Sequence, residues 1–319
     1  MNPLHDIARA QVDRGERLRT RTATELQLLL HRALTPNDVR KAMLKERPVF
    51  DALRTLDVDG PDPAQMRSEA RAVGLLDSTE ADLAYRGLFP ALDLGVYCAN
   101  HSVGKPSEPA RLAMEQFYAQ HTVFGVDAFV EAGWIDLLDD TREMVAELCG
   151  DPGRDRGDVA FFLNLSDALS AVLNGLSGRL VTTEAHFTTG HYIHHHWASR
   201  SGNTVVEVPE DDQECVPTER VIDALTPDTA VVSLSHVHWR SGYVHDVDAI
   251  AEAMARVCPQ AALLLDVYQG HGTVPTQFSA LPQRSALMGG GLKQLHAGLG
   301  SGYAWVSHAL AQDLQPDRM

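Results

Sequence analysis

Two side chains in the last third of this 319-residue sequence have the types and spacing to act on an aldehyde cofactor together. Asp266 ends the apolar run Ala261-Ala262-Leu263-Leu264-Leu265. A carboxylate at the end of a buried run needs a cation or strong donors beside it. One role open to it is the N-cap of the segment that follows. The sharper role is counter-charge to a bound cation, such as a protonated pyridine nitrogen. Lys293 lies 27 residues on (293 − 266), after Gly289-Gly290-Gly291 and before Gly298, Gly300 and Gly302. Glycines let backbone approach a flat ligand closely. A lysine there forms an imine with an aldehyde if burial lowers its pKa. Only Lys41, Lys45, Lys105 and Lys293 are lysines among 27 basic residues, so arginine carries most of the positive charge. A retained lysine is then a candidate for amine chemistry that a guanidinium cannot perform, although four lysines must fall somewhere.

An acid and an imine-forming amine together point to pyridoxal 5′-phosphate, whose protonated ring is an electron sink. These groups need a scaffold. Apolar and β-branched runs predict strands at 159–163, 179–183, 204–208, 230–234, 262–266, 286–289 and 303–306, with helices at 167–176, 218–225 and 247–257 between them. Such alternation predicts an α/β fold, a mostly parallel sheet covered by helices on both faces. Ligands of open α/β sheets bind beyond the carboxyl ends of the strands. At those ends stand Ser166 and Asp167, Glu184, His186 and Phe187, Ser235, His236 and His238, Asp266 and Gln269, and Lys293. The Ser166-Asp167 helix start is a place for a phosphate, because free N–H groups and the helix dipole favour anions.

Residues 1–92 read as an N-terminal helical extension with a start signal at Thr35-Pro36-Asn37-Asp38. Residues 93–319 read as the catalytic domain. The net charge of −16 and pI near 5.3 argue against general nucleic-acid or anionic-membrane binding. No apolar leader opens the chain, and no apolar run is long enough to span a bilayer. Cys98, Cys149, Cys215 and Cys258 are scattered, which excludes a zinc ribbon and fits a reducing cytoplasm. His191, His194, His195 and His196 fall in one predicted helix. Positions 191, 194 and 195 share a face and could offer imidazoles to Zn²⁺ or Ni²⁺, but no nearby acid or cysteine completes a site and no HExxH is present, so no metal is assigned. The acidic stretch 207–214 reads as a solvated face. Trp134, Trp197, Trp239 and Trp305 read as packing residues, with Trp239 close to the proposed site.

Several blocks resemble the kynureninases, in the family's order: VYCANHSVGKP at 96–106, AGWIDL at 132–137, VSLSHVHWRSGYVHDVD at 232–248, LLLDVYQGHGTVP at 263–275 and GGGLKQLHAGLGSGYAWVS at 289–307. Kynureninases are fold-type-I enzymes of aminotransferase class V that use pyridoxal 5′-phosphate. The resemblance implies that fold type for the large domain, Lys293 as the Schiff-base lysine and Asp266 as partner of the pyridine nitrogen. It implies Phe187 stacked on the cofactor ring and Ser166 near the phosphate. It places His101 and Ser102 at the substrate, and Ser235 and His236 in the position of a Thr-His pair. It further implies an amino-acid substrate, hydrolytic C–C cleavage, and a homodimer.

The chain departs from the family at five points. Leu292 stands for a phosphate-contacting tyrosine, Gly190 for a second aspartate, Gln269 for a histidine and His238 for an asparagine. The sequence also ends at Met319, before the family's C-terminal small domain. Gln269 is familiar in other class V members, so a β-lyase or aminotransferase is the alternative chemistry. A catalytically weak partner subunit, completed by a separate polypeptide, is a third reading.

Overall fold

The computed structural model describes residues 97–314 apart from residue 201, together with 88–89. The helices expected within 1–87 lie outside the described residues. By internal contacts the described chain forms two units. One contains Ser107–Ile135; the other contains Cys98–Pro106 and the residues from Asp136 onward.

In the first unit, helix α1 (Glu108–Phe124) starts at Ser107, whose side chain accepts from the Ala110 amide, with a proline in its first turn. A short helix α2 (Ala128–Glu131) follows. Trp134 stacks on Phe117 at 4.6 Å between ring centroids and donates to Gln120 Oε1 at 2.9 Å. Trp134 opens helix α3 (Trp134–Leu148).

The second unit is built on seven strands: β1 (Gly157–Phe162), β2 (Arg179–Thr183), β3 (Thr204–Val208), β4 (Thr229–Ser235), β5 (Ala262–Asp266), β6 (Ser285–Gly290) and β7 (Gly302–Ser307). Their order is β1-β7-β6-β5-β4-β2-β3. Only β7 runs against its neighbours β1 and β6, so the other six strands point the same way. The expectation of a mostly parallel sheet therefore holds, and β2, β3 and β5 have the predicted bounds.

Successive side chains on a strand point to opposite faces, and β5 shows what that does. Leu263 and Leu265 join the cluster containing Val232, Leu234, Val247, Ile250 and Met254, beside helix α7 (Val247–Val257). Ala262 and Leu264 join Leu169, Val172, Leu173, Trp197 and Leu310 on the other face. That face carries helices α4 (Leu165–Asn174), α5 (Thr188–Ala198) and α8 (His308–Asp313). A central strand buried on both faces must read as a continuous apolar run, as this one does. The buried positions of α7 recur at helical spacing, and Asp246 caps it by accepting from the Ala249 amide at 2.9 Å. The six-residue helix α6 (Thr218–Asp223) is shorter than the predicted 218–225.

Several histidines are buried in this unit, and burial dominates their titration. Burial pushes His186, His236, His238 and His271 down to about 4 and His245 to about 3. The unfolded chain binds those protons near the ordinary value of about 6.5. Between about 6.5 and 4 the unfolded state therefore holds more protons, and stability falls as pH falls through that window. Urea unfolding at pH 7 and pH 5 is expected to differ by at least about 3 kcal/mol in favour of pH 7. Equal stabilities would show that these rings are not buried neutral.

Candidate active site

The six co-directional strands bring their carboxyl ends to one edge of the sheet, where a cavity of about 680 Å³ opens. Strand β5 delivers Asp266 to its floor. The β4–β5 register sets Ser235 beside it, and the Ser235 hydroxyl donates to Asp266 Oδ2 at 3.4 Å. The Tyr268 amide donates to Asp266 Oδ1 at 2.8 Å. Beyond β2, His186 and Phe187 enter the cavity; beyond β1 come Asn164, Leu165 and Ser166; beyond β6 come Leu292 and Lys293. His101, Ser102 and Gln269 close the rim, where Gln269 Nε2 donates to the His101 carbonyl at 2.8 Å.

Asp266 and Lys293 thus share one hollow and interact electrostatically. Burial pushes the Asp266 carboxyl up to about 6. The Tyr268 amide, the Lys293 charge and the Ser235 hydroxyl oppose that rise. Burial lowers the Lys293 amine, and Asp266 opposes that shift. Desolvation leads in both, so each group is less charged than it would be in water, and a cation brought to Asp266 relieves its cost. Lys293 Nζ lies 5.4 Å from the Phe187 ring centroid and 5.0 Å from that of Tyr268.

Helix α4 begins at the same edge. Asn164 caps it, accepting from the Asp167 amide at 3.0 Å. The first-turn amides of Leu165 and Ser166 have no partner within the helix, which makes the turn receptive to an anion. Close backbone packing holds the walls in place. A Cβ on Gly302 would lie 2.8 Å from the Asn164 backbone, and one on Gly104 would lie 1.9 Å from the Lys293 carbonyl oxygen. The Gly104 amide also donates to the Leu292 carbonyl at 2.8 Å. Segment 98–106 therefore sits directly on the backbone that carries the lysine.

Of the eleven residues assigned to cofactor or substrate from the sequence, eight line the cavity: Lys293, Asp266, Gln269, Phe187, Ser166, Ser235, His101 and Ser102. Asp167, His236 and His238 do not. The Asp167 carboxylate turns back to accept from Asn164 Nδ2 at 2.9 Å and is solvent-exposed. His236 is buried against Phe278, at 5.1 Å between ring centroids, and close to Gly270. His238 meets His245, Nε2 to Nε2, at 2.9 Å. From the end of β4 the lining passes through Ser235, Val237 and Trp239, and His236 and His238 lie outside it.

Tyr268 and Arg240 line the cavity and were not predicted. Tyr268 packs where a Cβ on Gly290 would lie 2.6 Å from its ring, and the Asp-Val-Tyr spacing was the available signal. The Gly190 departure also finds its reason, because the His186 ring occupies the space that a side chain at 190 would take. The four histidines do lie in one helix, α5. However, the expectation that no acid stands near them is wrong: β3 brings Glu207 to His191 and His195.

The model of the aminotransferase class-V family matches residues 105–319. The chain is 30% identical to the kynureninase of Pseudomonas fluorescens over 255 residues, covering 76% of this chain and 58% of that protein. It is 28% identical over 236 residues to the uncharacterized aminotransferase YcbU of Bacillus subtilis strain 168, covering 73% and 60%. The chain thus spans under two thirds of the length of these relatives. Among solved structures, the cystine C-S lyase C-DES in complex with its product cysteine persulfide aligns with a TM-score of 0.64 at 22% identity, covering 72% of this chain and 61% of that one. The apo cysteine desulfurase from Thermococcus onnurineus NA1 aligns at 0.63 and 17% identity, covering 76% and 61%. At these identities the structural likeness is one of fold.

Proposed function

We propose that this chain, which belongs to the class V aminotransferase family, is a pyridoxal 5′-phosphate enzyme that hydrolyses a C–C bond within the side chain of an amino acid, as kynureninases do. The observation that carries the reading is the placement of Lys293, Asp266 and the Phe187 ring in one cavity. The residues present fit the cofactor. Lys293 would hold its aldehyde carbon, Asp266 its ring nitrogen, Phe187 its ring face, and Ser166 with the start of α4 its phosphate. When bound, the group supplies an electron sink for the substrate carbanion.

The protein's own side chains do the rest. Lys293, with an amine less basic than in water, takes and returns the substrate α-proton. Asp266 would stay ionised opposite a protonated ring nitrogen, were the cofactor bound. His101 and Ser102 at the rim meet the substrate. Gln269 favours a second reading, β-lyase or aminotransferase chemistry in the same cavity. Adding pyridoxal 5′-phosphate to the purified chain should produce a new visible absorbance band, and its absence would end the cofactor assignment. A substrate panel then divides the readings. Release of alanine from kynurenine alone supports hydrolysis, whereas turnover of cysteine, cystine or other amino acids supports the second. Turnover by the 319-residue polypeptide alone also removes the need for a separate completing subunit.

A homodimer is part of this proposal. Among its described residues the first unit exposes Phe117, Tyr118, Val126, Phe129 and Val130, apolar side chains of the kind a partner subunit covers. Light scattering is expected to give twice the 34.9 kDa mass of one subunit, and a monomer at micromolar concentration would contradict it. Among the described residues no helix is long and apolar enough to cross a membrane. A cytoplasmic setting is proposed on the scattered free cysteines.

A further inference from the structure

His191 and His195 stand one turn apart on α5, and Glu207 faces them from β3. Glu207 Oε1 lies 2.7 Å from His191 Nδ1 and 3.2 Å from His195 Nε2, and the three ligand atoms lie within 4.8 Å of one another. Four donors around a zinc ion at about 2.0–2.2 Å would be about 3.3–3.6 Å apart, so small side-chain adjustments fit a metal among them.

A second observation concerns the far side of the His191 ring. Its Nε2 meets the Glu184 backbone carbonyl at 3.1 Å. A carbonyl only accepts, so Nε2 carries the hydrogen. Glu207 as a carboxylate also only accepts. A neutral imidazole has one N–H and satisfies one of these two contacts. The 2.7 Å approach of Nδ1 to the carboxylate therefore calls for a cation between them. Metal-ligating histidines are held in this way, with the outer ring N–H fixed by a carbonyl or carboxylate and the inner nitrogen left free.

We propose that His191 Nδ1, His195 Nε2 and a Glu207 oxygen bind one divalent cation of the zinc, nickel or copper class, with water completing the coordination. His191, His195 and Glu207 do not line the cavity that holds Asp266 and Lys293, so the proposal stands apart from the catalytic reading.

The test uses the whole 319-residue chain, saturated with pyridoxal 5′-phosphate and stripped of metal with a chelator. Zinc titrated against a chromogenic competitor should bind at one equivalent per subunit, and Co²⁺ should give visible d–d absorbance. His195→Ala and Glu207→Gln should each weaken binding by about 100-fold or more, beyond the 10–100-fold typical of outer partners. His196→Ala, at an exposed neighbour outside the set, should bind as the parent does. No stoichiometric binding, or equal binding by the two ligand variants, overturns the proposal and leaves a proton on His191 Nδ1 as the cation between ring and carboxylate.

Discussion

Lys293→Ala is expected to abolish the visible band that the protein gains with pyridoxal 5′-phosphate and to lower turnover at least about 10³-fold. Two losses combine. On the proposed reading the amine would be both the covalent anchor for the cofactor aldehyde and the base for the substrate proton, and a positioned acid–base group alone is worth about 10²–10⁴-fold. Among the described residues no other lysine lines the cavity. Borohydride treatment followed by peptide mapping checks the assignment. The parent should carry the cofactor mass at position 293 and the variant nowhere. Lys105→Ala should keep both band and label. A Lys293→Ala variant that retains a covalent cofactor would place the chemistry elsewhere.

Asp266→Asn should be nearly as damaging, by a different route. The carboxylate lies at the buried end of β5, where burial has already raised it to about 6. Such an acid is costly alone and favourable opposite a cation. Removing one partner of a buried ion pair costs about 3–5 kcal/mol, which at 1.36 kcal/mol per decade is about 10²–10⁴ in rate or affinity. Asparagine keeps the volume and can still accept from the Tyr268 amide, so the fold should survive while the counter-charge is lost. The expected signature is a cofactor band that still forms through Lys293, with turnover reduced by that factor. Unchanged turnover would show that Asp266 serves only the backbone of Tyr268.

The strands were legible because each is a local pattern. The runs at 179–183, 204–208 and 262–266 carry enough apolar and β-branched side chains to declare themselves, and the sheet returns them with those bounds. Helix α4 was read two residues late, from 167, because its start depends on the Asn164 cap, a side-chain hydrogen bond that has no periodicity. The meeting of Phe187, Asp266 and Lys293 in one cavity was legible from their places at strand ends and from the resemblance. His236 and His238 lie outside the cavity lining because the chain bends after β4 ends at Ser235, a turn that the apolar run 230–234 does not announce.

The order of residues was enough to specify which segments become strands, which run must be buried at the sheet centre, and which acid and amine end up past the ends of two of those strands. Those properties follow from near neighbours: side-group volume, period and the cost of burying charge. It took the folded sheet to decide that Gln269 reaches the His101 carbonyl across 168 positions, that the His186 ring fills the space Gly190 leaves, and that Glu207 meets two histidines on a helix. These contacts depend on β3 pairing with β2, and on segment 98–106 lying over the Lys293 backbone. Pairing and docking are set by the summed packing of many residues, which no local window contains.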